Sequence, residues 1–350
     1  MARQASALRI LAALALALLA AALVFLQQLD ASINERSAAP GGTRIVVPAG
    51  ASLRSVLAEL QRVHAVRRPR LVEWYLRLHG EPLRAQAGTY ELAEGATAQK
   101  ILEQINAGQV LLSQLTIVEG WTFAQMRAAL NACPDLAHDW QRLDDAALMR
   151  ALGQGSTPAE GRFFPDTYRF AAGTSDRHIY ELALQRMAER LRQEWAERAP
   201  GLSVTSADAA LILASIVEKE TGREDERPLV AAVFGNRLRR GMRLQSDTTV
   251  IYGLGARYDG NLRRRDLETD GPYNSYTRAG LPPTPIALPG AASIHAVLHP
   301  VASQALYFVA TGLGDGSHHF STTYAEHLAA LRAFLKRTGA TPDAAIGGAK

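Results

Sequence analysis

Cys133 is the only cysteine in 350 residues. Disulfides therefore do not staple this fold, and no thiolate metal site can form. Charge of one sign is equally scarce: 38 Lys and Arg stand against 34 Asp and Glu, a formal net charge of +4. The basic side chains, mostly arginine, are scattered among acids, which describes a solvated surface, so nucleic acid is not an expected partner. There is no G-x-S-x-G elbow, and neither Ser215 nor Ser275 has an evident His partner, which argues against a serine nucleophile. Gly312-Leu313-Gly314-Asp315-Gly316 has no helix or Lys behind it, so it does not read as a phosphate loop. His295 and His299 have the i, i+4 spacing of a helical metal pair, but no Glu follows His295 directly and Pro300 ends the helix. No metal and no cofactor is expected.

Long apolar runs are also few, with one clear exception. Ile10 to Leu26 is seventeen residues without a polar side chain, near the short limit of the roughly 17–25 that span a bilayer. Arg3 and Arg9 precede it and Asp30 and Glu35 follow. The positive-inside tendency then places residues 1–9 in the cytoplasm and everything beyond residue 30 outside. A cleaved signal peptide with a site near Ser37-Ala38-Ala39 is the competing reading, but the run exceeds the usual apolar core of such peptides. A single-pass anchor over 10–29 is preferred, followed by a polar, breaker-rich linker over 30–43. Either way the bulk of the chain is exported.

Three times a short β-type run meets a glycine turn, then a Ser or Thr two residues on, then an amphipathic helix. The copies are Ile45–Gly50 with Ser52, Tyr90–Gly95 with Thr97, and Leu115–Gly120 with Thr122; each hydroxyl residue is the expected N-cap. Another helix is expected over Arg70–His79. From about residue 143 the pattern turns mainly helical, with helices over Ala146–Leu152, Ile179–Trp195 and Pro228–Arg240. Leu281–Pro289 must be extended because of its prolines. A short helix over Ser293–His299, a strand over Leu306–Ala310 able to pair with His319–Thr322, and a helix over Tyr324–Lys336 complete a mixed α+β chain. Residues 339–350 read as a flexible tail.

The stretch Thr205–Gly222 stands apart. Thr205 or Ser206 can cap it, Asp208 complements the helix dipole, and Gly222 can stop it. Ala209–Val217 carries no charge, with Ser215 its only polar residue, so the helix is expected to be buried on nearly all sides. Glu218 is the first ionisable group after that run. Partial desolvation there would favour its protonated form, as a general acid needs. The plainer reading is that Glu218 begins the solvated end of a core helix. Beyond it come Gln245, Asp247, Thr248, Tyr252, Asn274 and Tyr276 in what reads as breaker-rich loop. That mix of amides, hydroxyls and flat rings suits a saccharide.

Several blocks then resemble the YceG-like endolytic murein transglycosylases. They are Ala214-Ser215-Ile216-Val217-Glu218-Lys219-Glu220-Thr221, Phe234-Gly235-Asn236-Arg237-Leu238, Gly241–Asp247, Val250-Ile251-Tyr252-Gly253, Asp266-Leu267-Glu268-Thr269, Tyr273-Asn274-Ser275-Tyr276, Gly280–Ile286 and Tyr307-Phe308-Val309-Ala310. The anchor and Val118-Glu119-Gly120-Trp121-Thr122 agree as well. Thr248 departs from the family, which often has proline there; the departure is expected to affect the turn and not the chemistry.

The resemblance implies a small LysM-like glycan-binding module over 44–115 and a lytic transglycosylase domain over 116–338, mainly helical with a small β-sheet. It implies that Glu218 protonates the bridging oxygen between N-acetylmuramic acid and N-acetylglucosamine, then deprotonates the muramic C6 hydroxyl, leaving a 1,6-anhydro end. Gln245, Asp247, Thr248, Tyr252, Asn274 and Tyr276 would bind the glycan. Implied too are an inner-membrane location with a periplasmic C-terminal domain, peptidoglycan strands as substrate, peptidoglycan synthases as neighbours, and a role in ending strand growth. Two alternatives stay open: a hydrolytic muramidase using Glu218 with Asp247, and an anchored wall-binding scaffold without turnover.

Overall fold

The computed structural model describes residues 2–48, 50–80 and 83–339, with the backbone alone for residues 2–8. It is a mixed helix and sheet structure, mostly helical, in two units: residues up to Ser113 together with Arg169–Thr174, and Gln114–Tyr168 together with the chain from Ser175 onward. The hairpin-like return of residues 169–174 to the first unit was not expected from a catalytic domain running unbroken over 116–338.

In the first unit, helix α1 (Ala2–Asn34) contains a span from Arg9 to Asn34, with a window of mean hydropathy 2.6, that is long and apolar enough to cross a membrane. Its last turns differ from the expected linker. Leu29 and Ile33, four apart and so on one face, are buried, and the helix runs on to Asn34. The linker therefore begins after residue 34. Strand β1 (Thr43–Val47) pairs antiparallel with β2 (Gly88–Leu92), placing Ile45 opposite Tyr90. Between them lie α2 (Leu53–Arg62) and α3 (Pro69–Leu78), and α4 (Ala98–Asn106) follows. Ile45, Leu60, Tyr90, Leu92, Ile101 and Ile105 form a dry core. Ser52 and Thr97 cap α2 and α4 from their side chains, and Gly50 and Gly95 adopt the left-handed φ that the turns before them require.

Strands β3 (Leu112–Thr116) and β5 (Thr167–Ala171) pair with each other. In the second unit α5 (Phe123–Ala132) opens with a full capping box between Thr122 and Gln125. Then come β4 (Leu136–Ala137), which pairs with β6 (Thr174–Ser175), and the helices α6 (Asp145–Ala151), α7 (Asp176–Ala196), α8 (Ala207–Glu220) and α9 (Arg227–Arg239). Helices α10 (Asp247–Leu254), α11 (Arg264–Glu268) and α12 (Ala291–Leu298) follow. Strands β7 (Tyr307–Ala310) and β8 (His318–Ser321) form an antiparallel pair, and α13 (Tyr324–Thr338) closes the described chain.

Helix α8 is the axis of this unit. Its side chains from Ala210 to Val217 are buried apart from Ile212, and it packs on α7, α9, α10 and α12. Ser206 caps it, accepting from the N–H of Ala209 at 3.1 Å. The helix stops at Thr221 in extended geometry, so Gly222 is not the left-handed stop expected of it. Ser215, the one polar residue in the buried run, accepts the N–H of Ile286 at 3.0 Å and so pins the proline-rich segment to the helix. Residues 247–254, expected as loop, form α10; the apolar Val250, buried at the core face, gives that turn a reason to be helical. The expected flexible tail lies outside the described residues except for Gly339.

Candidate active site

The end of α8 presents two carboxylates to two different surroundings. Successive helical residues are rotated by about 100°, so Glu218 and Glu220 leave the helix on opposite sides. The Glu218 side chain is only 5% exposed, with Oε1 3.5 Å from Nη2 of Arg227, itself 9% exposed. Its Oε2 accepts the N–H of Gly290 at 2.9 Å. Gly120 lies against it: a Cβ there would sit 3.7 Å from Glu218 Cγ. The segment carrying Gly120 is held in place by its N–H to Leu288 at 2.9 Å and by Lys219 Nζ to its carbonyl at 3.1 Å. Glu119 joins the same cluster; burial first, then the neighbouring Glu218, raises its carboxyl above the ordinary value, with Arg227 opposing.

Glu220 faces hydroxyls instead. Its Oε1 accepts from Ser246 Oγ at 2.5 Å and from Thr248 Oγ1 at 3.0 Å. Its Oε2 has no hydrogen bond among the described residues. The turn that brings these hydroxyls to it is built with care. Arg237, buried, donates to the carbonyls of Leu244 at 2.6 Å and Leu306 at 2.7 Å. Gln245 then takes a left-handed φ of 51°, uncommon for a non-glycine residue, and its N–H bonds Ser275 at 3.1 Å.

Thr248 is also part of the wall of a cavity of about 980 Å³, at the upper end of the roughly 300–1,000 Å³ typical of ligand clefts. Phe123, Gln125, Asp145, Lys219, Ile251, Tyr252, Tyr273 and Thr284 line it too. So does Glu160, a residue the sequence did not single out. Its Oε1 accepts the N–H of Phe123 at 2.9 Å and its Oε2 faces the Tyr252 hydroxyl at 3.1 Å. Burial raises the Glu160 carboxyl to about 7, against the partial opposition of those two bonds. Burial likewise pushes the Tyr252 phenol up, so it stays protonated. The Tyr252 and Tyr273 rings meet edge to face at 4.9 Å.

The sequence-predicted residues divide accordingly. Thr248 and Tyr252 line the cavity. Asp247, between the Ser246 and Thr248 hydroxyls that hold Glu220, accepts the Tyr276 hydroxyl at 2.5 Å from a loop 29 residues further on. Gln245 is exposed at the head of that turn. Asn274 is different: 4% exposed, it donates to the carbonyls of Asp266, Leu267 and Thr269 and accepts from the N–H of Tyr276 and Thr277. Its amide is consumed in holding the loop, which leaves nothing for a glycan. Neither Glu218 nor Glu220 lines the cavity itself; Lys219 between them does, and Glu220 reaches it through the Thr248 hydroxyl. Thr248, expected as a glycan-binding residue whose departure from the family affects only the turn, puts its hydroxyl on Glu220. A signal for Glu160 did exist in the sequence, an acid between Pro158-Ala159 and Gly161 in a short irregular stretch, but its burial comes from α5 and α10, which are remote in sequence.

His295 and His299 do share a helix face, and Glu194 on α7 approaches both, its Oε2 2.9 Å from His295 Nδ1. The imidazoles stack at 4.3 Å with 23° between their planes. Lone pairs lying in two nearly parallel planes do not converge on one ion, so the cluster reads as a carboxylate–imidazole pair.

Residues 45–333 match the model of the YceG-like family, and the chain belongs to that family. Over 309 residues it is 29% identical to an endolytic murein transglycosylase of Bacillus subtilis (strain 168), an alignment covering 83% of this chain and 84% of that protein. It is 26% identical over 315 residues to an endolytic murein transglycosylase of Streptococcus pneumoniae serotype 2, covering 80% of this chain but 56% of that protein. A solved YceG-like protein of Listeria monocytogenes superposes with a TM-score of 0.51 at 29% identity, over 82% of this chain and 99% of that one.

Proposed function

We propose that this chain cleaves the bond between N-acetylmuramic acid and N-acetylglucosamine in peptidoglycan strands by lytic transglycosylation, with Glu220 as the acid and then the base. The observation that carries this is the placing of the two α8 carboxylates. Glu218, the residue first expected in the role, has one oxygen 3.5 Å from the Arg227 guanidinium and the other on the Gly290 N–H. Glu220 is held by neutral hydroxyls, one of which, Thr248, belongs to the cavity. A general acid must come within hydrogen-bond reach of the oxygen it protonates, and geometry decides before acidity does.

In the reaction, Glu220 gives its proton to the bridging oxygen as the C1–O bond breaks. Positive charge develops at C1 of the muramic residue. The carboxylate then takes the proton of that residue's C6 hydroxyl, whose oxygen closes on C1. No water enters, and an intramolecular nucleophile has a high effective concentration, so one carboxyl is sufficient. A hydrolase would need a second carboxyl about 5–10 Å away as nucleophile or water activator. Asp247 is the candidate for that alternative, and its bond to Tyr276 supports a positioning role instead. Mass spectrometry of digested sacculi separates the readings: ends lighter by one water are expected, and reducing ends alone would mean hydrolysis. Absence of any product would leave the wall-binding scaffold.

The names of the relatives support peptidoglycan as substrate, and the apolar helix α1 supports a single-pass anchor. With Arg3 and Arg9 before it, the proposed orientation leaves both units periplasmic, at the inner membrane where peptidoglycan synthases deliver new strands. The strand–helix–helix–strand order of the first unit supports a LysM-like glycan-binding part.

A further inference from the structure

Resting on the reading that the cavity takes glycan, we propose that Glu160 is a positioning residue for substrate: it ties Tyr252 to the start of α5 and so fixes the aromatic wall on which a saccharide ring stacks. Glu160 is 9% exposed, yet its carboxyl lies in the wall of the cavity with both oxygens engaged, Phe123 N–H on one and the Tyr252 hydroxyl on the other. Those partners are 37 residues before it and 92 after it, on α5 and α10. Tyr252 in turn meets Tyr273 edge to face, and the Tyr273 hydroxyl bonds Thr284 Oγ1 at 2.8 Å. Both phenols are thus anchored at their polar ends while their rings border the cavity. A flat surface already ordered in the free protein loses little entropy on binding. The acid step itself does not call on Glu160; its work is done through Tyr252.

The link has a chemical polarity. Ionised, Glu160 accepts a hydrogen bond from the Tyr252 hydroxyl. Protonated, it donates to the Tyr252 oxygen, and the phenol O–H becomes free to donate to a sugar oxygen. The groups facing Glu160 are Tyr252 from α10 and Asp145 from α6, the latter disfavouring ionisation; Arg150 from α6 and Lys219 from α8 line the same cavity. With burial raising the carboxyl to about 7, the tighter-binding form is the protonated one on the acid side of that value.

The test is calorimetric titration of the full chain in detergent micelles with a soluble tetrasaccharide of alternating N-acetylglucosamine and N-acetylmuramic acid. Every protein carries Glu220→Gln, so that nothing is turned over. Adding Glu160→Ala should raise Kd about tenfold, the loss of one well-made polar link. Adding Glu160→Gln should restore affinity, because its carbonyl accepts from Phe123 and its amide donates to the Tyr252 oxygen. It should also remove the weakening that the Glu220→Gln parent shows between about pH 5.5 and about pH 8.5. Tyr252→Phe, which keeps the ring, should weaken binding to a similar degree, and combining it with Glu160→Ala should add little. Equal affinity of Glu160→Ala and parent, or additive losses in the pair, would overturn the proposal while leaving the glycan reading intact. A parent that binds no glycan would overturn both.

Discussion

Glu218 and Glu220 stand two positions apart on α8, and their carboxylates answer to different partners: Arg227 and the Gly290 N–H for the first, Ser246 and Thr248 hydroxyls for the second. A buried ion pair at the end of a core helix ties α8 to α9 and to the segment before α12. The Glu220 carboxylate is held by two hydroxyls, one of which, Thr248, lines the cavity.

Thr248→Pro should fold, since residue 248 lies in the first turn of α10, where proline is tolerated. It removes one of the two hydroxyls on Glu220. We expect the cleavage rate to fall by about three- to tenfold, as for a single lost hydrogen bond, with melting temperature little changed. Unchanged turnover would mean that Ser246 alone positions the carboxylate.

Ser215→Ala should destabilise the second unit without touching the chemistry. It leaves the buried N–H of Ile286 without its acceptor, at a cost of about 1–3 kcal/mol. A denaturant titration of the variant beside wild type reads this directly; equal midpoints would show that the proline-rich segment does not depend on that bond.

Gly161→Ala should be worse tolerated. A Cβ there would lie 2.3 Å from Pro285 Cβ, and Gly161 holds φ at +77°. Neither the ring of Pro285 nor the backbone can give cheaply, so a loss of about 2–3 kcal/mol is expected. Because Glu160 is the preceding residue, glycan affinity should fall with stability, and a variant with wild-type melting and binding would contradict the packing described.

Stability should fall with rising pH through the Glu160 transition. The folded carboxyl is raised from 4.5 to about 7, so the native state holds a proton that the unfolded chain has released. This contribution is fully present below about pH 4.5 and lost by about pH 7, in total on the order of 3 kcal/mol. Denaturant midpoints across that range should decline in wild type and lose that component in Glu160→Gln. Identical slopes would place the proton elsewhere.

Much of the local structure was legible because its cause is local. Ser52, Thr97, Thr122 and Ser206 cap the helices their positions announced, and the uncharged run of α8 is buried as its composition required. What escaped was set by distant chain. Asn274 looked like a sugar ligand, but the loop folded around it so that its amide meets three carbonyls. Glu160 acquired its character from α5 and α10. The different surroundings of Glu218 and Glu220, on which the proposed assignment rests, were set by where Arg227, Ser246 and Thr248 came to rest, which no spacing within α8 could tell.

The most direct test of that choice is to digest intact sacculi with the full chain as wild type, Glu218→Gln and Glu220→Gln, and to weigh the products. Anhydro-ended fragments should come from wild type and from Glu218→Gln, with Glu220→Gln slower by at least about a hundredfold. Anhydro products from Glu220→Gln at the wild-type rate, with a folded but inactive Glu218→Gln, would contradict the account.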